Sequence, residues 1–294
     1  AMPGMSAGRV FTQVRDAMAH LNPKEVREEA DRPFTIQLFA PTEQSWLAIE
    51  SWFAPSTGTT PGRQAEVSAV VRRGADYAQG TVIRVFHEDL PHGPGDFTFR
   101  PADPGRVICV IFEANPALKL SLARRVAPFR PHVVKGIIRA VSRENAVFSL
   151  ATAVPSVLPL VSLPWAIGEF ASDTAFLTAN QIRMAFMLAA ASDRKIGYAE
   201  QKAEVASLFA GAFGWRAIAR ELAGKIPMGG GLIPKAAISF AGTWVIGASL
   251  ERLYRAGYGY TPEERRAAYE QAFEQGKQIA AGLIRSVGGS RAAS

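Results

Sequence analysis

The first half of the chain alternates runs of β-branched and aromatic residues with amphipathic segments. Residues 34–40 and 81–86 have the composition and partial alternation of β-strands. Residues 106–113 form a nearly continuous apolar run, which is typical of a buried strand in a parallel sheet. A helix is predicted directly after the first strand and ends at Phe53. The remaining predicted elements of this half are helices at 64–79 and 117–126 and a short strand at 97–100.

Strand patterns end at Pro128, and long helical patterns follow. Residues 133–148 predict an amphipathic helix with Lys135, Arg139 and Arg143 spaced four apart on its polar face. Further helices are predicted at 165–192, 198–225, 235–256 and 262–287. The last of these begins with a capping box, in which a threonine at the N-cap is followed three residues later by Glu264. The second half is therefore predicted to be all α-helical.

Residues 145–168 form a stretch of 24 residues without a charge, interrupted by Pro155, Pro159 and Pro164. A stretch of this length is long enough to cross a bilayer. The closely spaced prolines break the helical hydrogen-bond ladder, so a broken or re-entrant hairpin fits better than one straight span. The sequence leaves open whether lipid or protein covers this hairpin.

These patterns together predict an α+β protein in two main parts. A helical arm (1–32) precedes a small α/β domain (33–127) with a mostly parallel sheet. A larger all-helical domain (128–288) is built round the proline-broken apolar hairpin, and a disordered tail (289–294) ends the chain. Apolar and small residues repeat with three-and-four spacing in the helix at 262–287. A protein partner or self-association through that helix is a further hypothesis.

Positive charge is concentrated just before the charge-free stretch. The chain carries a net charge of +7, and residues 119–144 account for +6 of it, with seven basic residues and one acid. An anionic membrane surface attracts a basic amphipathic helix of this kind. Nucleic-acid binding through 119–143 is the weaker hypothesis, because Phe129 is the only aromatic residue there that could stack on bases. The residues expected to form the membrane or anion surface are Arg124, Arg125, Arg130, Lys135, Arg139 and Arg143.

Cysteine content and the start of the chain indicate the compartment. Cys109 is the only cysteine, so no disulfide can form within the chain, and its apolar surroundings predict a small core residue. The first residues lack the basic and apolar regions of a secretory signal. We therefore expect a cytoplasmic location, with peripheral or integral attachment to the inner face of the cell membrane as the more specific hypothesis.

Motifs for cofactor or metal chemistry fail on inspection of their spacing. The turn after the first predicted strand has neither the glycines nor the lysine of a phosphate-binding loop. His87 and His92 are five residues apart, and Pro91 prevents the helix that a metal site of the HExxH type needs. We therefore predict no catalytic residue, no metal site and no cofactor.

One polar band interrupts the apolar helix that follows Pro164. Glu169, Asp173 and Asn180 share a narrow face of this helix, and Arg183 lies at its margin. Lys235 is a candidate partner for them, since buried charges must be paired. The band is either a ligand or polar site between helices or a structural ion-pair network, and the structural interpretation is favoured.

Several features of the second half carry a family resemblance. They are the proline-punctuated apolar stretch, Asn180-Gln181 within its helix, the glycine corner after Ile226-Pro227, and the helix with Gly242-Thr243 and Gly247. From about residue 122 to residue 259 the chain resembles an uncharacterised bacterial helical family, which is found C-terminal to Era-like GTPase domains and in YcjF-like inner-membrane proteins.

The resemblance implies a helical, membrane-linked module without established catalytic residues, preceded by a GTPase-type α/β domain. This chain lacks the phosphate loop and the N-K-x-D guanine motif of such a domain. The implied GTPase-like domain is therefore expected to be degenerate and not to hydrolyse GTP.

The leading functional hypothesis is a non-enzymatic, membrane-associated or scaffold protein with a degenerate nucleotide-binding-like domain. The alternative is an enzyme that binds a nucleotide or small ligand at a divergent site. The polar band around Asn180 and the strand-turn-helix unit motivate that alternative. Nucleic-acid binding is the third hypothesis.

Overall fold

The computed structural model describes residues 21–55, 60–74, 80–153, 173–206 and 231–291. The chain divides into two compact units. The α/β unit holds the described residues between 24 and 135 together with 189–195, and the helical unit holds the others. Within the described ranges, all strands belong to the α/β unit. The fold is therefore α+β, with a small α/β region and a larger helical region, as the sequence predicts.

Four parallel strands form the sheet of the α/β unit, in the order β2, β1, β3, β4. The strands are β1 (Phe34–Phe39), β2 (Val71–Arg73), β3 (Thr81–His87) and β4 (Phe97–Phe99). The central pair, β1 and β3, runs in register from Phe34 opposite Thr81 to Phe39 opposite Phe86. Every residue of β1 except Phe39 is buried, as expected for a central parallel strand that is covered on both faces. The predicted strands at 34–40, 81–86 and 97–100 are confirmed.

Helices and short helical turns precede, connect and follow these strands along the chain. They are α1 (Pro23–Ala30), α2 (Glu43–Phe53), α3 (Pro61–Val70), α4 (Arg106–Ala114) and α5 (Lys119–Arg125), with 3₁₀ turns at Pro116–Leu118 and Ala127–Phe129. Thr42 caps α2, because its hydroxyl accepts a hydrogen bond from the backbone N–H of Ser45 at 3.2 Å. The predicted helix at 64–79 ends early, at Val70, and β2 follows it directly.

The predicted strand at 106–113 is wrong, because this segment forms helix α4. Val107, Ile108 and Ile111 are buried, which is the one-and-four spacing of a helical face. Cys109 and Val110 are exposed, so the prediction of Cys109 as a core residue is also wrong. A run of apolar residues this short does not distinguish a doubly buried strand from a helix whose outer face is also apolar.

In the described part of the chain, the helical unit contains four long helices. They are α6 (Arg130–Ala153), α7 (Asp173–Ala191), α8 (Leu232–Ala256) and α9 (Pro262–Arg291). The first residues of α6 and the last residues of α7 belong to the α/β unit. Residues 202–206 are also helical. Helix α9 continues to Arg291, beyond Gly288, where the sequence predicts a disordered tail.

Helices α8 and α9 form a tightly packed antiparallel pair. Gly257 ends α8 in the left-handed conformation, with φ of 85°, which glycine adopts without strain. The capping box predicted at the start of α9 is confirmed, since Thr261 and Glu264 exchange two hydrogen bonds of 2.9 and 3.2 Å. A Cβ atom on Gly276 would lie 2.9 Å from the Cα atom of Ala237, so the two backbones approach as closely as glycine permits. The small and apolar seam of α9 therefore packs on α8.

Helices α6 and α8 also run antiparallel to one another. Ser149 of α6 faces Ser239 of α8, and Ile138, nearer the start of α6, contacts Gly247, nearer the end of α8. A Cβ atom on Gly247 would meet the Ile138 side chain at 2.8 Å and the sulfur of Met184 at 3.0 Å. Glycine at this position thus lets α6 and α7 both approach α8.

Part of the predicted architecture lies outside the described residues. Of the charge-free stretch at 145–168, residues 145–153 are described, and they form the end of α6. The three prolines of the predicted hairpin, the arm before residue 21 and the glycine corner at 228–230 fall on residues that the structure does not describe.

Two adjacent residues, Val110 and Ile111, test whether segment 106–114 is the helix α4 or a buried strand. We expect Ile111→Ala to lower the free energy of unfolding by about 2–5 kcal/mol, because Ile111 is fully buried in the core of the α/β unit. Val110→Ala is the matched control and should change it by less than about 0.5 kcal/mol, since Val110 is 46% exposed. Urea titration measures both variants. Similar losses in the two would support a strand buried on both faces.

Candidate functional site

Buried polar side chains are concentrated where α6, α7 and α8 meet inside the helical unit. Asn145 and Thr243 have no exposed surface, and Asn180 is 3% exposed. The residues around them are apolar and equally buried, for example Ala146 and Met184. Polar groups in such a position must be hydrogen-bonded, and the partners that they use define the site.

An ion pair marks one edge of this polar region. The guanidinium of Arg183 donates to the carboxylate of Glu144, with Nη2 and Oε2 separated by 2.6 Å. The Nε atom of Arg183 also donates to the amide oxygen of Asn180 at 3.1 Å. The Arg183 and Glu144 side chains are 19% and 23% exposed. The pair thus lies at the margin of the core, where water reduces the cost of burying charge.

Asn145 connects this ion pair, which joins α6 and α7, to helix α8. Its amide oxygen accepts from Nδ2 of Asn180 at 2.8 Å, and its own Nδ2 donates to the hydroxyl of Thr243 at 2.7 Å. The same hydroxyl accepts from Nε2 of Gln181 at 3.2 Å. One asparagine therefore links α6 to both α7 and α8.

Two further contacts extend the polar region along α6 and α8. The hydroxyls of Ser149 and Ser239 are 2.5 Å apart, and the ammonium of Lys235 donates to the hydroxyl of Thr152 at 3.2 Å. Three successive rungs, Asn145 with Thr243, Ser149 with Ser239 and Thr152 with Lys235, form what we call the polar ladder. Its spacing follows from helical geometry, because residues three and four apart share a face of each antiparallel helix.

The predicted polar residues have different positions in this network. Asn180 and Arg183 come together, as their shared helical face predicts, and Lys235 joins the far end of the ladder through Thr152. Asp173 begins α7. Its side chain and the whole of Glu169 fall outside the described part of the chain.

Sequence analysis missed the partners that α6 and α8 supply. Glu144 is the only acid in the basic segment, which is a signal that it pairs within the fold. Asn145, Ser149 and Thr152 lie at helical spacing in a segment that otherwise consists of apolar residues. Such a stripe predicts a polar seam between helices, although it does not say which helix supplies the partners.

Half of the predicted basic surface is used within the α/β unit. Arg124 lies 3.7 Å from both Asp31 and Asp193, and Arg130 donates to backbone carbonyls at 3.3 Å. Burial, together with the neighbouring charge of Arg63, lowers the pKa of Arg130. The guanidinium of Arg125 lies over the Phe34 ring, 5.9 Å from its centre. Arg124 and Arg130 are therefore engaged in polar contacts within the unit, and Arg125 in a ring contact.

The other half of that surface is exposed on α6. Lys135, Arg139 and Arg143 face solvent at intervals of four residues, as predicted. No side-chain acid pairs with any of the three within the described ranges.

The end of α8 adds aromatic and basic residues. Arg252 lies over the rings of Tyr258 and Tyr260, at 4.8 and 5.4 Å from their centres, and Tyr258 is 59% exposed. Hydrogen bonds from Thr261 and Arg252 lower the pKa of Glu264, which caps the following helix.

The arrangement has few means of performing chemistry. The polar ladder consists of amide and hydroxyl groups and the Lys235 ammonium, which are bonded to one another, next to one ion pair. Within the described residues no group of three His, Cys, Asp or Glu side chains could hold a metal ion. His87 pairs with Asp89 at 3.2 Å, and His92 bonds instead to Thr98 at 2.7 Å. The geometry suits the positioning of helices.

Helix α8 is the one helix in the described part of the chain that is long and apolar enough to cross a bilayer. Of its most apolar window, 39% is buried within the protein. Core helices of water-soluble proteins can have the same composition, so this finding is weak evidence for a membrane by itself.

No protein-family model, no characterised protein and no solved structure matches the chain. The resemblance to the helical family associated with GTPase domains therefore stays a prediction.

Substitution of Thr243 tests whether the network holds the helices together. We expect Thr243→Val to cost about 1–3 kcal/mol of stability, because the hydrogen-bond donors of Asn145 and Gln181 lose their acceptor. Thr243→Ser keeps the hydroxyl and removes one methyl group, which costs about 0.8 kcal/mol. Chemical denaturation of the full chain in matched solvent measures both. If valine is tolerated as well as serine, the network does not stabilise the unit.

Proposed function

We propose that the protein is a non-enzymatic scaffold that attaches to the inner face of the cell membrane through its helical unit. The observation that carries the proposal is the incomplete burial of α8. This helix is apolar enough to enter lipid, and only 39% of its most apolar window is buried within the protein. An apolar helix left partly uncovered in water costs free energy, and lipid contact removes that cost.

The distribution of charge along the helices supports this proposal. Since α6 and α8 are antiparallel, Arg139 and Arg143 of α6 lie level with the C-terminal half of α8. Arg252, Arg255 and Tyr258 lie at that same end of α8. Aromatic and basic residues of this kind favour the headgroup region, and the cations are attracted to anionic lipids.

The opposite end of the helical unit carries several partly buried apolar side chains. It combines the start of α8 with the later part of α9, where the hydrophobic side chains are only partly buried. The charge-free sequence after residue 144 leads α6 towards the same end. These apolar residues are Leu232, Ile233, Ile279, Leu283 and Ile284.

Length favours partial insertion over a full crossing. The helical rise of 1.5 Å per residue puts Lys235 and Glu251, the charges that bound the apolar part of α8, about 24 Å apart. The hydrocarbon core of a bilayer is about 30 Å thick. Lys235 can extend its aliphatic stem towards a polar region, which shortens the mismatch without removing it. We therefore place the helical unit in one leaflet, with its basic end at the cytoplasmic surface.

The polar ladder has a role in this environment. Apolar helices gain little from association with one another in lipid, where hydrogen bonds and close contacts between small residues hold them together. The rungs between α6 and α8 and the glycine contacts at Gly247 and Gly276 are interactions of this type. They would keep the helices assembled in water and in lipid.

The α/β unit is proposed to be a degenerate GTPase-like domain that supplies a binding surface without hydrolysis. Its sequence lacks a phosphate loop and a guanine motif. An enzymatic role has no support from the polar network, whose groups are bonded to one another. Nucleic-acid binding is less favoured, because Arg124 and Arg130 are engaged within the unit.

Vesicle binding by the full chain tests the membrane proposal. We expect binding to vesicles that contain phosphatidylserine to exceed binding to neutral vesicles. The triple variant Lys135→Gln, Arg139→Gln, Arg143→Gln should weaken it roughly 100-fold, at about 1 kcal/mol for each charge near the surface. Flotation or surface plasmon resonance at fixed ionic strength measures the affinity.

The matched control is Lys24→Gln, Arg27→Gln, Arg106→Gln, which removes the same charge from exposed positions of the α/β unit. It should bind vesicles like the unaltered chain. Equal weakening by the two triple variants would show that vesicle affinity follows the net charge of the chain and not the position of the three basic residues of α6. A chain that stays soluble without detergent and ignores anionic vesicles contradicts the proposal.

A further inference from the structure

A small cavity opens in the α/β unit beside the start of β1. Its volume is about 130 Å³, and its described lining includes Phe34 of β1 and Ala69 and Val70 at the end of α3. Two arginines also line it, Arg72 from β2 and Arg125 from the end of α5. The cavity therefore combines an apolar floor with two guanidinium groups that come from different elements.

Neither arginine is neutralised within the described part of the chain. The Nε atom of Arg72 donates to the carbonyl oxygen of Ala69 at 3.2 Å, and Arg125 contacts the Phe34 ring. Other arginines of the same unit have carboxylate partners: Arg73 pairs with Glu50 at 2.7 Å and Arg63 pairs with Asp193 at 2.5 Å. Arg72 and Arg125 thus have charge and hydrogen-bonding capacity that those pairs lack.

Among the described residues, the charge around the cavity is positive. None of the described residues that line the cavity is acidic. The C-terminal end of α3 contributes a partial negative charge of about half a unit, because helix carbonyls point towards it. Two guanidinium groups exceed this charge about fourfold. The cavity therefore favours an anion.

Volume restricts the size of that anion. At about 130 Å³, the cavity is well below the size of an ordinary ligand pocket. Pockets for drug-sized ligands and cofactors enclose about 300–1,000 Å³. A nucleoside is too large to enter, whereas a single tetrahedral oxyanion fits.

We propose that this cavity binds a phosphate group, either as the free anion or as the terminal group of a larger molecule that stays outside. Guanidinium groups bind phosphate oxygens through paired, charge-assisted hydrogen bonds, and two of them from separate elements can hold one dianion. The site lies beside the N-terminal end of β1. It is thus away from the C-terminal strand ends, where open parallel sheets usually bind nucleotides. It is independent of membrane attachment, which uses the helical unit.

Isothermal titration calorimetry of the full chain tests the site, with inorganic phosphate and glycerol phosphate as separate probes. The buffer contains neither sulfate nor phosphate, and ionic strength is held constant. We expect saturable binding of inorganic phosphate. Arg72→Ala and Arg125→Ala should each weaken it about tenfold or more, and Arg125→Lys should weaken it less, because lysine keeps the charge without the paired geometry. Binding of glycerol phosphate as well identifies the ligand as a terminal phosphate group.

Arg27→Ala is the matched control, since it removes an exposed arginine elsewhere in the same unit. It should leave the phosphate affinity unchanged, and circular dichroism should show every variant folded. Three results overturn the proposal: absence of saturable binding, an equal loss in Arg27→Ala, or binding that survives both cavity substitutions. Vesicle binding by the same variants should be unaltered, which separates this site from the membrane surface.

Discussion

A polar group removed from water must find a partner, and the helical unit depends on how Asn145 meets this requirement. Its amide accepts from Asn180 and donates to Thr243, so one side chain bonds to two neighbouring helices. The apolar residues around it could pack in several registers at similar cost, because hydrophobic contact is not directional. Hydrogen bonds are directional, and they select one arrangement. The close approach at Gly247 depends on that register.

Sequence patterns predicted those elements that have one clear period. Strands β1 and β3 are β-branched and aromatic, and the box at Thr261 and Glu264 sets the start of α9. The strand prediction for residues 106–113 was wrong because both faces of the segment are apolar, although only Val107, Ile108 and Ile111 are buried. What decides between strand and helix there is the rest of the core, which local sequence does not contain.

The candidate site was predictable on one helix and hidden on the others. Asn180 and Arg183 share a face of α7, and periodicity identifies such a face. Their partner Glu144 lies 36 to 39 residues earlier, and Thr243 lies 98 residues from Asn145. Pairings over these distances depend on the packing of whole helices. The net charge of residues 119–144 does not show which arginines form a surface, for a similar reason. It counts Arg124 together with Arg139, although Arg124 is engaged within the α/β unit and Arg139 is exposed.

The close contact of Gly276 with Ala237 affects how distant relatives of this protein could be recognised from their sequences. Apolar residues in a core can exchange with one another as a lineage diverges, provided that volume and pattern are kept. A glycine whose missing side chain lets two backbones touch has no substitute, and a buried hydroxyl such as that of Thr243 has few. Distant relatives of this chain should therefore be recognisable by a sparse signature of small and polar positions, after overall identity has faded.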